Sequence, residues 1–81
     1  MQKPIRVSGH ARRRMERYML GEDVVIEALR EPDRVVAGYR GRRIAHRFMN
    51  DYVLRVVYEE DDFIAVVTVY PMRRERYAET L

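Results

Sequence analysis

Apolar runs separated by short polar turns make up the second half of the chain. The runs Tyr52–Tyr58 and Phe63–Tyr70 are rich in β-branched and aromatic residues and flank four consecutive acids. This pattern predicts an antiparallel hairpin with a solvated acidic turn. The second run carries no charge, which predicts a central strand covered on both faces. A buried helix of the same length is the alternative, but the β-branched residues and the closing Pro71 favour a strand.

Two further strands are predicted before this hairpin. The segments Arg34–Tyr39 and Arg42–Phe48 show strand patterns, and the Arg40-Gly41 pair between them indicates a turn. The segment Met49–Asp51 then connects to the hairpin as a three-residue bulged loop, because Asn and Asp tolerate the left-handed conformation that such a loop needs.

The first half of the chain shows helical spacing instead. Ser8 is a candidate N-cap, and apolar residues follow it at positions 11, 15, 18 and 19. Gly21 is predicted to end this helix. A second helix is predicted from Glu22 or Asp23 to a point before Pro32, with its leading acids at the positive end of the helix dipole.

These elements predict an α+β fold. Two N-terminal helices pack on one face of a four-stranded antiparallel sheet, in the order ααββββ. Residues 1–71 form a single domain, and residues 72–81 form a charged C-terminal tail that is either disordered or a short helix. Residues 1–7 are either a frayed end or a short edge strand.

The predicted register gathers arginines on one side of the sheet. If the Met49–Asp51 loop pairs Phe48 with Tyr52, the side chains of the neighbouring strands alternate in step. The face away from the helices then carries Arg43, Arg47, Arg55, Thr68 and Tyr70. The helix-covered face carries His46 and a core of Leu54, Val56, Tyr58, Phe63, Ala65, Val67 and Val69.

Composition narrows the class of protein. The 81 residues contain no cysteine, which excludes disulfides and thiolate zinc sites. No apolar run reaches the roughly 18 residues that span a bilayer, and the first residues lack the apolar segment of a signal peptide. We therefore expect a cytoplasmic protein without a membrane partner.

Charge adds a candidate partner. The net charge of +3 rests on arginine, since Lys3 is the only lysine. Arginine binds phosphate bidentately and stacks on bases, so RNA is a plausible ligand. The alternative is a thermostable protein whose arginines form surface ion-pair networks.

Three arginines on one face would clamp a phosphate and stabilise the charge that develops during phosphoryl transfer, with no need for a metal or another cofactor. The alternative is that each arginine pairs with an acid, for which the candidates are Glu59, Glu60, Asp61, Glu75 and Glu79.

His10 is the candidate general base. It lies at the start of the first helix, where the helix dipole favours a neutral imidazole that can accept a ribose 2′-hydroxyl proton. The alternative is a surface or capping role. Tyr70 is a second candidate base if arginines favour its phenolate, and otherwise a core or rim aromatic. His46 is predicted to be structural, and two histidines so far apart predict no metal site.

Several segments, taken in order, resemble one known family. They are Ser8–Met15, Glu22–Leu29 followed by Pro32-Asp33, Gly41–Arg43, Leu54–Val57 and Val67–Pro71. In that order they resemble the domain of unknown function 4258, over residues 8–71. This family looks like a compact branch of the RelE-like, barnase/EndoU/colicin type of RNase toxin fold.

The resemblance implies two helices followed by a four-stranded antiparallel sheet. It also implies metal-independent cleavage of RNA, in which the 2′-oxygen attacks the adjacent phosphate and leaves a cyclic phosphate. Carried over by position, it assigns catalytic roles to His10, Arg43, Arg55 and Thr68. Arg14 then binds RNA phosphate, supported by Arg47 and Tyr70.

We therefore predict an endoribonuclease of a toxin–antitoxin system, with RNA as substrate, an acidic or helical antitoxin as partner and no cofactor. A non-catalytic module whose arginine face docks RNA or an acidic protein segment is the first alternative. A self-associating domain, such as a homodimer that uses exposed tyrosines and methionines, is the second.

Overall fold

The computed structural model describes residues 3–79. Met1 and Gln2 of the predicted N-terminal segment, and Thr80 and Leu81 of the predicted tail, lie outside the described residues. The side chains of Ala78 and Glu79 are also outside the description, so the pairing predicted for Glu79 is not addressed.

Over residues 3–79 the fold is α+β, as predicted, with three helices and a five-stranded sheet. The elements in chain order are β1 (Ile5–Val7), α1 (Gly9–Arg17), α2 (Glu22–Arg30), β2 (Arg34–Ala37), a 3-10 turn (Tyr39–Gly41), β3 (Arg43–Phe48), β4 (Tyr52–Glu60), β5 (Ile64–Arg73) and α3 (Arg74–Glu79). The sheet order is β1-β5-β4-β3-β2, with β1 parallel to β5 and the other pairs antiparallel.

The predicted four-stranded sheet and the order ααββββ are therefore wrong. A three-residue strand such as β1 is too short to show a period of two, and its partner β5 lies nearly 60 residues further along the chain. The helix α3 is equally hard to predict, because Tyr77 is its one large apolar residue in a charged segment. No helix within residues 3–79 is long and apolar enough to cross a membrane.

The first helix begins as predicted and ends earlier. Ser8 Oγ accepts a hydrogen bond from the Ala11 N–H at 3.0 Å, which makes Ser8 the N-cap. The helix ends at Arg17 with Tyr18 as its C-cap, and Met19 follows with φ of 56°. Hydrogen bonds from the Met19 and Leu20 N–H groups to carbonyls of the last turn close a Schellman motif. Gly21, predicted to end α1, is instead the N-cap of α2.

Helices α1 and α2 cover one face of the sheet and form the core with it. The buried residues of this core are Ala11, Met15, Val25, Ala28, Ala45, Leu54, Val56, Tyr58, Ile64, Val66 and Val69. We call the opposite sheet face the open face. Only its far end is covered, because α3 packs there and buries Tyr77.

The predicted register of β3 and β4 is wrong by one residue. Phe48 pairs with Val53 rather than with Tyr52, since the Met49 N–H donates to the Tyr52 carbonyl at 2.9 Å and closes a longer turn. A shift of one residue exchanges the two faces of β3 relative to β4. His46 therefore lies opposite Arg55 on the open face, whereas Arg43 and Arg47 turn to the helix side.

A β-bulge divides β5 at Val67. Val57 pairs with Thr68 but the next residue, Tyr58, pairs with Val66, so Val67 has no partner in the ladder. The bulge reverses the alternation, which buries Ile64 and Val66. Three residues predicted to be in the core are consequently only half-buried: Phe63, Ala65 and Val67.

The strand β5 also continues through Pro71, which was predicted to end it. The strand β1 pairs with β5 only at residues 64–66, so the outer edge of β5 beyond that point has no strand beside it within residues 3–79. Proline is tolerated at such an edge because its missing N–H costs no ladder hydrogen bond.

Candidate functional site

A row of four polar side chains crosses the open face. Arg34, His46, Arg55 and Tyr70 come from β2, β3, β4 and β5, and each lies directly opposite the next in the ladder. We call these four residues the polar row. Directly opposite residues have Cβ atoms about 5 Å apart, so the four side chains can contact one another across the strands.

His46 is the buried member of the polar row, with 3% of its surface exposed. The Arg55 Nε–H donates to His46 Nε2 at 3.2 Å, and His46 Nδ1 lies 3.0 Å from the Tyr77 hydroxyl. Because arginine only donates, Nε2 must be the acceptor, so the imidazole proton of the neutral ring is on Nδ1 and points to Tyr77. Burial, followed by the charges of Arg55 and Arg34, lowers the pKa of His46 and keeps the ring neutral.

Arg55 is held by two neighbours of the polar row. Besides the His46 hydrogen bond, its guanidinium carbon lies 5.3 Å from the centre of the Tyr70 ring. None of the four ion pairs found among the described side chains involves Arg55. Its terminal nitrogens are therefore available to an anionic ligand on the open face.

His10 reaches the same strand from the start of α1. His10 Nε2 lies 3.1 Å from Thr68 Oγ1, and the donor in this hydrogen bond depends on the imidazole tautomer. Ser8 sets this position, because its hydroxyl donates to the Val67 carbonyl at 3.0 Å while it caps α1. The bulge and the helix start are thus joined, and His10 is exposed beside Thr68.

Thr68 and Tyr70 place the two parts of the site next to each other. They are two residues apart on the open side of β5, which corresponds to about 7 Å along the strand. Thr68 contacts the imidazole of His10, and Tyr70 contacts the guanidinium of Arg55. One ribose-phosphate unit could therefore contact both groups.

Two of the predicted arginines lie elsewhere. Arg47 points to α2, where it donates to Glu27 Oε1 at 2.7 Å and to the Glu31 carbonyl at 2.6 Å. Arg43 is exposed on the helix side, where it lies opposite Tyr58 in the ladder. Burial and Glu60 raise the pKa of Tyr58, against the effect of Arg43. The predicted cluster of three arginines on one face is therefore wrong.

Arg14 lies one helical turn after His10 on the same side of α1. Its Nη1 donates to the Tyr18 hydroxyl at 3.4 Å, and its buried Nε has no hydrogen-bond partner among the described residues. Arg14 is thus close to His10 along the helix but is not part of the polar row.

Two members of the polar row were not predicted as site residues. Nothing in the sequence pattern distinguishes Arg34 as a site residue, because a charged residue at the start of a strand is common. His46 was predicted to be structural and core-facing, and only the correct register shows it beside Arg55. Within residues 3–79 there is no group of three or more histidine and acidic side chains that could hold a metal ion.

The comparisons with known proteins identify the family. No curated protein and no solved structure matches the chain. The model of a domain of unknown function (DUF4258) matches residues 7–71, which is most of the chain and includes His10, Arg55, Thr68 and Tyr70. On this match, the chain belongs to the DUF4258 family.

Proposed function

We propose that the protein is an endoribonuclease of the toxin type with a RelE-like fold, and that its active site is the open face around Arg55, Thr68 and His10. The observation that carries the proposal is the hydrogen-bonded chain from Tyr77 through His46 to Arg55. It fixes a guanidinium that has no ion pair among the described side chains next to β5, whose Thr68 contacts the imidazole of His10.

Arg55 would bind the phosphate at the cleaved bond. A guanidinium fixed through its Nε keeps both terminal nitrogens directed at the ligand, which suits bidentate contact with phosphate oxygens. Preorganised positive charge of this kind stabilises the charge that develops on the phosphoryl oxygens in the transition state. No metal is required for this role.

His10 would act as the general base. It takes the proton of the ribose 2′-hydroxyl, the 2′-oxygen attacks the adjacent phosphorus, and the bond from phosphorus to the 5′-oxygen breaks. The 5′-oxygen takes a proton from water, which reaches this exposed surface. The products are a 2′,3′-cyclic phosphate and a 5′-hydroxyl. Thr68 would orient the imidazole, and Tyr70 would hold the guanidinium.

Arg43 and Arg47 take no part in this version of the site, because their contacts lie on the helix side. An antitoxin with acidic residues would complement the open face and block it in the cytoplasm. The proposal therefore keeps RNA and an acidic protein as partners and moves the phosphate contact from three arginines to one.

A non-catalytic RNA-binding module is the second candidate. One observation favours it: within residues 3–79 only His10 offers an exposed imidazole, whereas His46 is buried and neutral. The polar row would then bind phosphate without a second group to complete proton transfer.

Cleavage of a labelled RNA in the presence of EDTA tests the proposal. We expect Arg55→Gln and His10→Asn each to lower the cleavage rate by about 100-fold or more, with the cyclic phosphate as the wild-type product. Arg43→Gln is the matched control and should retain activity. If the wild-type protein binds RNA without cleaving it, and Arg55→Gln no longer binds it, the result would support the non-catalytic module instead. Activity that survives both site substitutions would reject the site.

A further inference from the structure

A groove of about 690 Å³ lies at the other end of α1 from His10. It is lined by Tyr18 and Leu20 after α1, by Tyr52 at the start of β4, and by Pro71, Met72 and Arg73 at the end of β5. Tyr52 and Arg73 are direct partners in the ladder, so the groove lies where the free edge of β5 meets the end of the helix.

The helix α1 runs beside the free edge of β5 in the same direction. His10 near its start contacts Thr68, and Tyr18 at its end shares the groove with Pro71. Eight helical residues rise about 12 Å, and the four residues from Thr68 to Met72 extend about 13 Å, so the two paths match in length. The groove and the proposed site therefore lie at the two ends of one edge, about 12 Å apart.

Arginine lies between the two ends of this path. His10, Arg14 and Tyr18 follow one another at intervals of four residues, which places them on one stripe of α1. The guanidinium carbons of Arg14 and Arg17 lie 5.9 and 5.8 Å from the centre of the Tyr18 ring. Arg14 also keeps a buried Nε without a partner among the described residues.

The lining favours a planar ligand attached to a phosphate chain. Tyr18 and Tyr52 supply aromatic faces, on which any nucleobase can stack. The charges of the two arginines in the lining, Arg73 and Arg74, cancel those of Asp51 and Glu75. Arg14 and Arg17 beside Tyr18 therefore add net positive charge at the groove. This combination is typical of grooves that bind single-stranded nucleic acid without reading its sequence.

We propose that this groove binds a base of single-stranded RNA a few nucleotides from the phosphate at Arg55, and that Arg14 contacts the backbone between them. The inference rests on the proposed function and deepens it, because it extends the RNA contact along α1. The substrate is then a single strand longer than two nucleotides, since a short fragment cannot reach from Thr68 to Tyr18.

Binding of oligonucleotides of two lengths tests the groove. The probes are fluorescein-labelled oligouridines of two and eight nucleotides with 2′-O-methyl groups, which prevent cleavage, and the readout is fluorescence anisotropy. We expect Tyr18→Leu and Tyr52→Leu each to weaken binding of the longer probe about tenfold and to leave the shorter probe unchanged. Tyr18→Phe should bind like the wild type, since it keeps the ring.

Tyr39→Leu is the matched control. Tyr39 is 81% exposed and its ring also lies near an arginine, Arg40, but it is in the turn before β3, far along the sheet from β5. If both probes bind the wild type equally, or if the Tyr18 and Tyr52 variants bind the longer probe normally, the groove proposal fails. In that case a loss of RNA cleavage in Arg55→Gln and His10→Asn would still uphold the proposed function. Failure of the wild type to bind either probe would overturn both.

Discussion

His46 shows how one buried side chain can organise an exposed site. Its two ring nitrogens connect Tyr77 of α3 to Arg55 of β4, and its neutral state follows from burial and from the two neighbouring arginines. A charged imidazole could not accept the Arg55 hydrogen bond, because both of its nitrogens would be donors. The orientation of Arg55 thus depends on the protonation state of His46.

Stability should therefore fall in mild acid. The pKa of His46 is lowered in the folded protein from its ordinary 6.5, so below this value the unfolded chain binds a proton that the folded chain does not. We expect the free energy of unfolding to decrease as the pH falls from about 7 to about 5.5, above the range in which carboxylates titrate. Urea denaturation at several pH values measures it.

His46→Gln should remove this slope, since glutamine can accept the Arg55 hydrogen bond without titrating in this range. His10→Gln is the control and should retain the slope, because His10 is exposed. A slope that is unchanged in His46→Gln would show that other groups cause it.

Residue-level predictions from the sequence succeeded where the signal was local. The Ser8 cap depends on a contact three residues away, and it is confirmed. The grouping of Arg55 with Thr68 and Tyr70 on the open face is also confirmed, because the shift in the β4–β5 register is an even number of residues. The predicted grouping of Arg43 and Arg47 with Arg55 is wrong, because one additional loop residue places the side chains of β3 on the opposite faces of the sheet.

At the scale of elements, α3 is the part that turns a plain sheet face into a site. Tyr77 packs edge-on against His46 at 5.0 Å and against Phe48 at 5.6 Å between ring centres. It covers His46 at one end of the open face and leaves Arg34, Arg55 and Tyr70 of the polar row at least partly exposed. Sequence patterns do not reveal this arrangement, because the docking of a short charged helix depends on the surface beneath it.

Tyr77→Phe should lower the free energy of unfolding by about 1 kcal/mol, since it removes the hydroxyl partner of the buried His46 Nδ1–H and keeps the ring. Urea denaturation at pH 7 gives the value. The same experiment on Tyr39→Phe, at an exposed tyrosine, should show no change. An equal loss in both variants would argue against the contact. RNA cleavage by Tyr77→Phe should also fall, because Arg55 loses indirect support.

The two helices and the four antiparallel strands were predictable because each has a clear period and capping or turn residues. The strand β1 was only one of two alternatives for residues 1–7, since its place is set by pairing with β5 rather than by its own sequence. The strand β1 matters to the site, because it leads the chain directly into Ser8 and so places His10 beside Thr68 of β5.

At the scale of the whole molecule, charge is sorted by location. Arg14 and Arg17 of α1 lie beside Tyr18 at the groove, whereas the acids between β4 and β5 lie at the opposite end of the hairpin from the groove. Arg47 is neutralised by Glu27, but no described ion pair neutralises Arg55. Arginine count alone therefore says little about which residues contact a polyanion.

Salt dependence should separate these two kinds of arginine. For single-stranded RNA, each phosphate contact contributes about 0.7 to the slope of log affinity against log salt concentration. We expect Arg55→Gln to reduce the magnitude of the slope by about this amount, and Arg47→Gln, whose side chain is paired with Glu27, to leave it unchanged. Anisotropy titrations of the eight-nucleotide 2′-O-methyl probe from about 50 to about 300 mM salt, a range that brackets the physiological ionic strength of about 150 mM, measure the slopes. Equal slopes in the two variants would place the phosphate contact elsewhere.

The unpaired residue Val67 has a consequence for recognising relatives that carry the proposed site. With regular pairing, Thr68 and Tyr70 would follow Val66 onto the buried side, and the strand would hold only packing residues there. The buried positions Val66 and Val69 are three residues apart instead of two, and this odd interval can be read from a sequence without coordinates. A relative whose last long strand keeps an even interval would direct its hydroxyl groups beneath the helices, and we would expect it to have the same scaffold without the proposed site.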